Sequence, residues 1–313
     1  MELKVKNMRG KIKYIVGLLT FTVMLSACNK EAESYMFGEV KNDTFEHLHG
    51  LGYINGGPNL VISTHDGLYE YSKEGWKEAN KEKHDYMGFQ AVQDGFFSSG
   101  HPEPGSAYKN PLGLIKSVDR GASFKKLAFY GEIDFHYLAA GYDSNTIYVI
   151  NEMPTNRMSR GLHYTVDEGA TWEVAAMNGF DSEFISNIAA HPSLENVMAI
   201  GSKDGIFLSK DYGENFERIS TDKMTLYTIL TDHGGYYSSY ENEKTALTWF
   251  TTDSNQTTSI QIPDQAMNPI VFIAVNPENE KELVIATHSN DIYVTKDQGD
   301  TWNQLAKEGL LMK

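Results

Sequence analysis

Ser117-Val-Asp119-Arg-Gly121-Ala-Ser123-Phe124 decides the fold, because the chain writes it three more times: Thr165-Val-Asp167-Glu-Gly169-Ala-Thr171-Trp172, Ser209-Lys-Asp211-Tyr-Gly213-Glu-Asn215-Phe216 and Thr295-Lys-Asp297-Gln-Gly299-Asp-Thr301-Trp302. The four aspartates stand 48, 44 and 86 residues apart, and 86 is two steps of 43. A repeat with a worn motif therefore fits between the third and fourth copies, around Ala246 to Asp253. Tyr71-Ser-Lys73-Glu-Gly75-Trp76 is a second worn copy, one step upstream of the first. Self-similarity at a fixed step of this size means a repeat architecture.

Each copy suits a tight turn between two strands. Its aspartate can accept hydrogen bonds from the turn's own amides, its glycine supplies a positive φ, and its aromatic ring packs beneath. Asp119, Asp167, Asp211 and Asp297 therefore read as staples of the fold and not as catalytic acids. Short apolar or alternating runs precede each turn, as in Ile185-Ser-Asn-Ile-Ala-Ala190, Val197-Met-Ala-Ile200 and Gly205-Ile-Phe-Leu-Ser209, and turn-forming residues separate them. Four strands per repeat of ~45 residues predict an all-β propeller. The simplest division has six four-stranded blades, at 44–79, 85–128, 132–176, 183–220, 222–262 and 268–306. Five or seven blades remain open, depending on how Tyr35 to Lys41 contributes a closing strand. No stretch reads as a substantial helix.

The start of the chain reads differently. Lys4, Lys6, Arg9, Lys11 and Lys13 precede an apolar run from Tyr14 to Leu25, and Leu25-Ser26-Ala27-Cys28 follows at once. A basic start, an apolar run too short to span a bilayer and small residues before a cut describe a secretory signal. Cys28 is the sole cysteine, so an exported chain gains no disulfide and must be stabilised by its core. Without the five basic residues and Glu2 of that leader, the chain's 27 Lys plus Arg and 42 Asp plus Glu become 22 against 41. Such a surface argues against nucleic acid or anionic lipid headgroups as ligands and draws in cations.

Two resemblances add to this reading. Leu-Ser-Ala-Cys resembles a lipobox, in which the cysteine is diacylated and becomes the first residue of the mature protein. The resemblance implies a lipoprotein signal peptide at 1–27, a lipidated Cys28 with a tether at 28–43, and one propeller domain at 44–313. It also implies anchoring in the lipid bilayer on the extracytoplasmic face of the cell membrane; a monomer is expected. The repeated turn resembles the Asp-box, S/T-x-D-x-G-x-T-W/F, and on a six-blade period the chain is similar to sialidases, Vps10/sortilin propellers and photosystem assembly propellers. The strings His47-Leu-His49-Gly-Leu51, Thr64-His65-Asp-Gly-Leu68, Ser99-Gly-His101-Pro102, Asn110-Pro-Leu-Gly-Leu-Ile115 and Asp134-Phe-His136 resemble more closely a group of exported bacterial Asp-box proteins labelled glycosyl hydrolases by analogy.

That label implies chemistry that the residues can be asked to supply. A sialidase clamps its substrate carboxylate with three arginines from different blades. After the leader the chain has Arg120, Arg157, Arg160 and Arg218, of which Arg120 lies inside a repeated turn and Arg218 follows another. The triad cannot be assembled, which argues against sialidase chemistry. Another glycosidase would need two facing carboxylates, and Asp85 and Asp134 are the candidates. There is no G-x-S-x-G elbow, phosphate loop or cysteine nucleophile in the mature chain.

Aligning the repeats with one another singles out histidines. With inner strands at Leu48-His49-Gly-Leu51, Tyr86-Met87-Gly-Phe89, Phe135-His136-Tyr-Leu138, Ile185-Ser186-Asn-Ile188 and Ile270-Val271-Phe-Ile273, one slot holds His49, Met87 and His136. Two residues earlier, on the same side of the strand, stand His47, Asp85 and Asp134. The turn after the second strand carries His65, His101, Glu152 and His288 at equivalent positions. An up-down blade puts both sets on the face opposite the repeated turns. Imidazoles and a thioether from separate strands suit copper or zinc, with Asp85, Asp134 or Glu152 as ligands or partners. Polar residues of a wet channel mouth, and a His/carboxylate catalytic site, are the competing readings. His163 and His191 read as structural, His84 and His233 as surface residues, and Tyr236-Tyr237-Ser-Ser-Tyr240 as blade packing before a sugar platform. Two functions stay open: a binding module for a metal ion, glycan or surface protein, and a glycoside hydrolase.

Overall fold

Six antiparallel sheets follow one another along the chain, and each draws its strands from one contiguous segment. The computed structural model describes residues 34–220, 223–253, 256–263 and 268–313, so the leader and Cys28 lie outside the described residues. The first strands of the sheets are Leu48–Tyr53, Gln90–Val92, Tyr137–Ala140, Ile185–Ala190, Thr225–Thr231 and Ile270–Asn276. Each lies beside its successor, and the last lies beside the first, which closes the ring. The protein is an all-β propeller of six blades, with no helix among the described residues.

Two blades carry a fifth strand at the outer edge, which settles the role of Tyr35 to Lys41. Phe37–Glu39 pairs with Gly75–Ala79 and adds to blade one; Leu310–Leu311 pairs with Asn303–Lys307 and adds to blade six. The segment Asp43 to Phe45 then joins blade one to the fifth strand of blade six. Phe45 N–H donates to the Gly309 carbonyl (3.0 Å) and Leu311 N–H to the Asp43 carbonyl (2.7 Å). No blade is shared between the ends.

The repeated turns have one geometry. Asp119 Oδ1 accepts from the Ser123 amide (2.9 Å) and Oδ2 from the Ser123 hydroxyl (2.6 Å), while the Ser117 hydroxyl accepts from the Gly121 amide (2.8 Å). Asp167 and Asp297 make the same two bonds at 2.8 and 2.6 Å, and Asp211 makes them with Asn215. The glycine is not alone in the left-handed region. The residue before it also has positive φ, at Arg120 (62°), Glu168 (55°), Tyr212 (61°) and Gln298 (61°), so the turn forces two consecutive residues into a conformation that non-glycine residues seldom adopt. The worn copy of blade one is a two-residue hairpin between Ser72 and Gly75, with the Glu74 amide still bonded to the Ser72 hydroxyl. That of blade five follows Phe250, at the end of the expected stretch, where the Thr251 hydroxyl accepts from the Gln256 amide.

The blades pack through apolar seams. One joins Tyr148 and Leu162 of blade three to Ile200 and Phe207 of blade four. Near the axis the inner strands approach so closely that a Cβ on Gly52 would lie 2.6 Å from that of Ala91. Tyr236 and Tyr237 are buried, in agreement with packing. His84 departs from expectation: it is fully buried, its Nδ1 accepts from the Glu103 amide (2.9 Å), its Nε2 bonds Glu82 (2.9 Å), and Tyr86, Tyr108 and Phe124 surround the ring. The charged flank Lys-Glu-Lys-His suggested a surface, but a loop that folds over its own histidine hides it.

Candidate functional site

Strand pairing puts the histidine positions on one face. Leu48 pairs with Thr64, Asp85 with His101, Ile185 with Ser202 and Ile270 with Thr287. The start of each inner strand thus meets the turn after the second strand. The repeated turns end the third strands, at the opposite end of the blades. A cavity of about 180 Å³ occupies the channel at that opposite end, lined by all six inner strands including Tyr53, Ala91, Ala140, Ala189, Tyr227 and Ala274.

The inner strands do not begin as plain ladders. In blades one, four, five and six the register slips by one residue, between Leu48 and Gly50, Ile185 and Asn187, Thr225 and Tyr227, and Ile270 and Phe272. The extra residues are His49, Ser186, Leu226 and Val271. In blades two and three the regular strand starts after Met87 and His136, at Gln90 and Tyr137. A bulge unpairs its residue and re-aims the side chain, so the slot shared by His49, Met87 and His136 is one of irregular backbone.

The side chains gather into two clusters centred on carboxylates. Asp85 faces two imidazoles: Oδ1 stands 3.0 Å from His49 Nε2, and Oδ2 stands 3.1 Å from His65 Nδ1. His49 and Asp85 are largely buried, at 17% and 12% side-chain exposure, whereas His65 is 59% exposed on its turn. The ring of His47 lies 6.1 Å from that of His65. Asp134 repeats the pattern one blade on. Its Oδ2 stands 2.9 Å from His136 Nε2 and 3.4 Å from His101 Nε2, and its Oδ1 accepts from the Ser99 hydroxyl (3.1 Å). Glu152 lies 3.6 Å from His136 Nδ1, and His101 Nδ1 lies 2.6 Å from the Asn110 side-chain oxygen. Each aspartate belongs to the blade after that of its turn histidine, so both clusters bridge a seam.

These contacts set charge states. Burial disfavours the ionised form of Asp134, but the His136 hydrogen bond and charge, the charge of His101 and the Ser99 hydrogen bond outweigh it, and its pKa falls below the ordinary carboxylate value. The Asp134 hydrogen bond raises the pKa of His136 against the opposing effect of burial, aided by the charges of Asp134 and Glu152. Both shifts favour the charged forms of Asp134 and His136.

Sequence alignment grouped these residues by level along the strands; the side chains group by seam. His49, His65 and Asp85 form the set of potential metal ligands among the described residues, their ligand atoms all within 4.8 Å of one another. Met87 and His136 stand outside that set, as does His101. His288 sits at the equivalent turn of blade six, its amide bonded to the Pro269 carbonyl, next to a blade whose matching leader residue is His47 instead of an aspartate. Three of the arginines serve elsewhere. Arg120 pairs with Glu70 and covers Phe37, Arg157 pairs with Glu132 and covers Phe129, and Arg218 pairs with Asp181 and covers Phe207.

No protein-family model matches the chain, and no curated protein matches its sequence. Solved structures do. The family 74 xyloglucanase from Xanthomonas campestris is 16% identical over 87% of this chain and 47% of its own, with a TM-score of 0.52. The tricorn protease is 11% identical over 86% of this chain and 27% of its own, with a TM-score of 0.59. An oligogalacturonate lyase from Vibrio parahaemolyticus is 13% identical over 84% of this chain and 78% of its own, with a TM-score of 0.53. This chain thus spans less than half the length of the first two. Three different activities on one architecture, at such identities, establish the propeller and nothing of its chemistry.

Proposed function

We propose that this chain is a lipid-anchored, extracytoplasmic binding module that engages its ligand through the histidine and carboxylate face of the propeller. The observation that carries the reading is the placement of the Asp85 and Asp134 carboxylates against imidazoles at two successive seams, 2.9–3.4 Å away. A glycosidase needs one carboxyl group with a raised pKa, to protonate the leaving group near neutral pH. Asp134 shifts the other way, and Asp85 is taken up between two imidazoles. The two aspartates nominated for catalysis act in this reading as fixed anchors that orient histidines toward a polar ligand. Three arginines committed to ion pairs on separate blades weigh against a carboxylate clamp. The anchor rests on Leu25-Ser26-Ala27-Cys28 alone.

Two measurements test the reading. Wild type and Asp134→Asn are assayed against chromogenic glycosides and against immobilised cell-surface glycans. Retention without turnover, weakened in the variant, is expected; turnover abolished by Asp85→Asn or Asp134→Asn would establish a glycosidase instead. A palmitate analogue fed to cells should label wild type and not Cys28→Ala. Equal labelling would remove the anchor.

A further inference from the structure

We infer that His49, His65 and Asp85 form a site for one late first-row divalent cation, zinc or copper(II), at the seam between blades one and two. The inference rests on the binding reading above and gives its face a specific ligand. Two imidazole nitrogens and a carboxylate oxygen are a donor set these ions favour over magnesium or calcium, which prefer oxygen alone. An ion ~2.0–2.2 Å from each donor needs donors ~3–3.5 Å apart. His49 Nε2 stands 3.0 Å from Asp85 Oδ1 and His65 Nδ1 stands 3.1 Å from Oδ2, the other oxygen of the same carboxylate, and one ligand atom from each of the three residues lies within 4.8 Å of the others.

A second observation separates this cluster from its neighbour. His49 Nε2 and Asp85 Oδ1 are buried and, although 3.0 Å apart, neither makes a hydrogen bond. The ring nitrogen does not aim at the oxygen, so proximity alone satisfies neither atom. Leaving two buried polar atoms unpaired is unfavourable, and a cation lying off the line between them would contact both. The Asp134 cluster differs, because the Ser99 hydroxyl donates to Asp134 Oδ1 (3.1 Å) and no atom of that cluster is both buried and unpaired. Backbone structure holds the ligands in place. Asp85 is fixed by paired backbone bonds with His101 (2.9 and 3.0 Å), and His65 N–H donates to the His47 carbonyl (3.2 Å). Three protein ligands leave a fourth position of a tetrahedral ion open, on the side of the exposed His65, where an external donor could complete it.

The test uses the full chain, purified in mild detergent without a polyhistidine tag, and titrates it calorimetrically with Zn²⁺ alone and Cu²⁺ alone. One equivalent should bind. His65→Ala, on an exposed turn where folding is little at risk, and Asp85→Asn should each weaken it at least about tenfold, while His136→Ala leaves it unchanged. Absence of saturable binding by the wild type would overturn the site, as would His65→Ala and Asp85→Asn proteins that bind as wild type, or His136→Ala losing the ion equally. Glycan retention by a protein that takes no metal would sink this inference and leave the binding reading standing; metal uptake with no glycan retention would do the reverse for the glycan arm.

Discussion

Asp85 opens the inner run of blade two, yet its carboxylate faces blade one, with Oδ1 3.0 Å from His49 Nε2. Asp134 does the same one blade on, reaching back to Ser99 and His101. The recurrence has a topological cause. The leader of each inner strand pairs with the turn after its own second strand, as Asp85 does with His101, and that geometry turns its side chain toward the preceding blade. A pair of polar residues at these two positions in successive repeats thus becomes a contact between blades.

The repeated turns should prove structural under mutation. Asp211→Ala removes bonds to the Asn215 amide and side chain, and chemical denaturation should show a loss of about 1–2 kcal/mol. Ligand retention per folded molecule should not change. A variant of undiminished stability that no longer binds would show that these aspartates belong to the site.

Acid should act on the same turns. The pKa values of Asp167 and Asp297 are lowered to about 2, first by the hydroxyls of Thr171 and Thr301, then by further hydrogen bonds of the turn. A depressed carboxylate stabilises the fold above its unfolded pKa and ceases to do so as pH falls through the folded value. Their contribution is therefore complete above about pH 4 and disappears toward pH 2. Melting temperature followed from pH 5 to 2 should converge for wild type and Asp167→Asn at the acid end; a constant gap would contradict the assignment.

For the Asp134–His136 pair the window closes on both sides. His136 has a raised pKa, so its stabilisation is full below about 6.5 and fades as pH rises through the folded value; that of Asp134 is full above about 3.8 and fades as pH falls. The stability difference between wild type and His136→Gln should peak between those limits. With His136 half exposed, the peak should stay below about 1 kcal/mol. A difference that grows toward pH 9 would refute the ion pair.

His84→Ala should cost about 2–3 kcal/mol, because it removes the acceptor of the partly buried Glu103 amide and opens a void among Tyr86, Tyr108 and Phe124. His233→Ala, on an exposed turn, should stay within about 0.5 kcal/mol. Equal effects in denaturant melts would place His84 back at the surface.

The contrast between these two histidines shows where sequence reasoning stops. Four near-copies of an eight-residue turn revealed the architecture, because a staple must keep its chemistry wherever it recurs. Repeat alignment also found the residues of the mouth, since equivalent positions share an end of the blade. It did not find their partners. The one-residue slip at His49 leaves no mark in composition, and cross-seam pairs such as Asp85 with His65 join different repeats instead of equivalent positions. His84 was hidden by its charged neighbours, though the aromatic residues at Tyr86, Tyr108 and Phe124 were a signal that something apolar closes over that loop.

The closure of the ring has a consequence for how such a chain can be rewired. The segments that enter blade one and leave blade six meet through the Phe45–Gly309 and Asp43–Leu311 backbone bonds, and every blade is a single run of sequence. The order of blades around the axis is therefore independent of where the polypeptide is cut. A circular permutant with its ends fused across that junction, reopened between blades three and four, would keep both carboxylate clusters intact, since each depends on neighbours in the circle and not on proximity to a terminus.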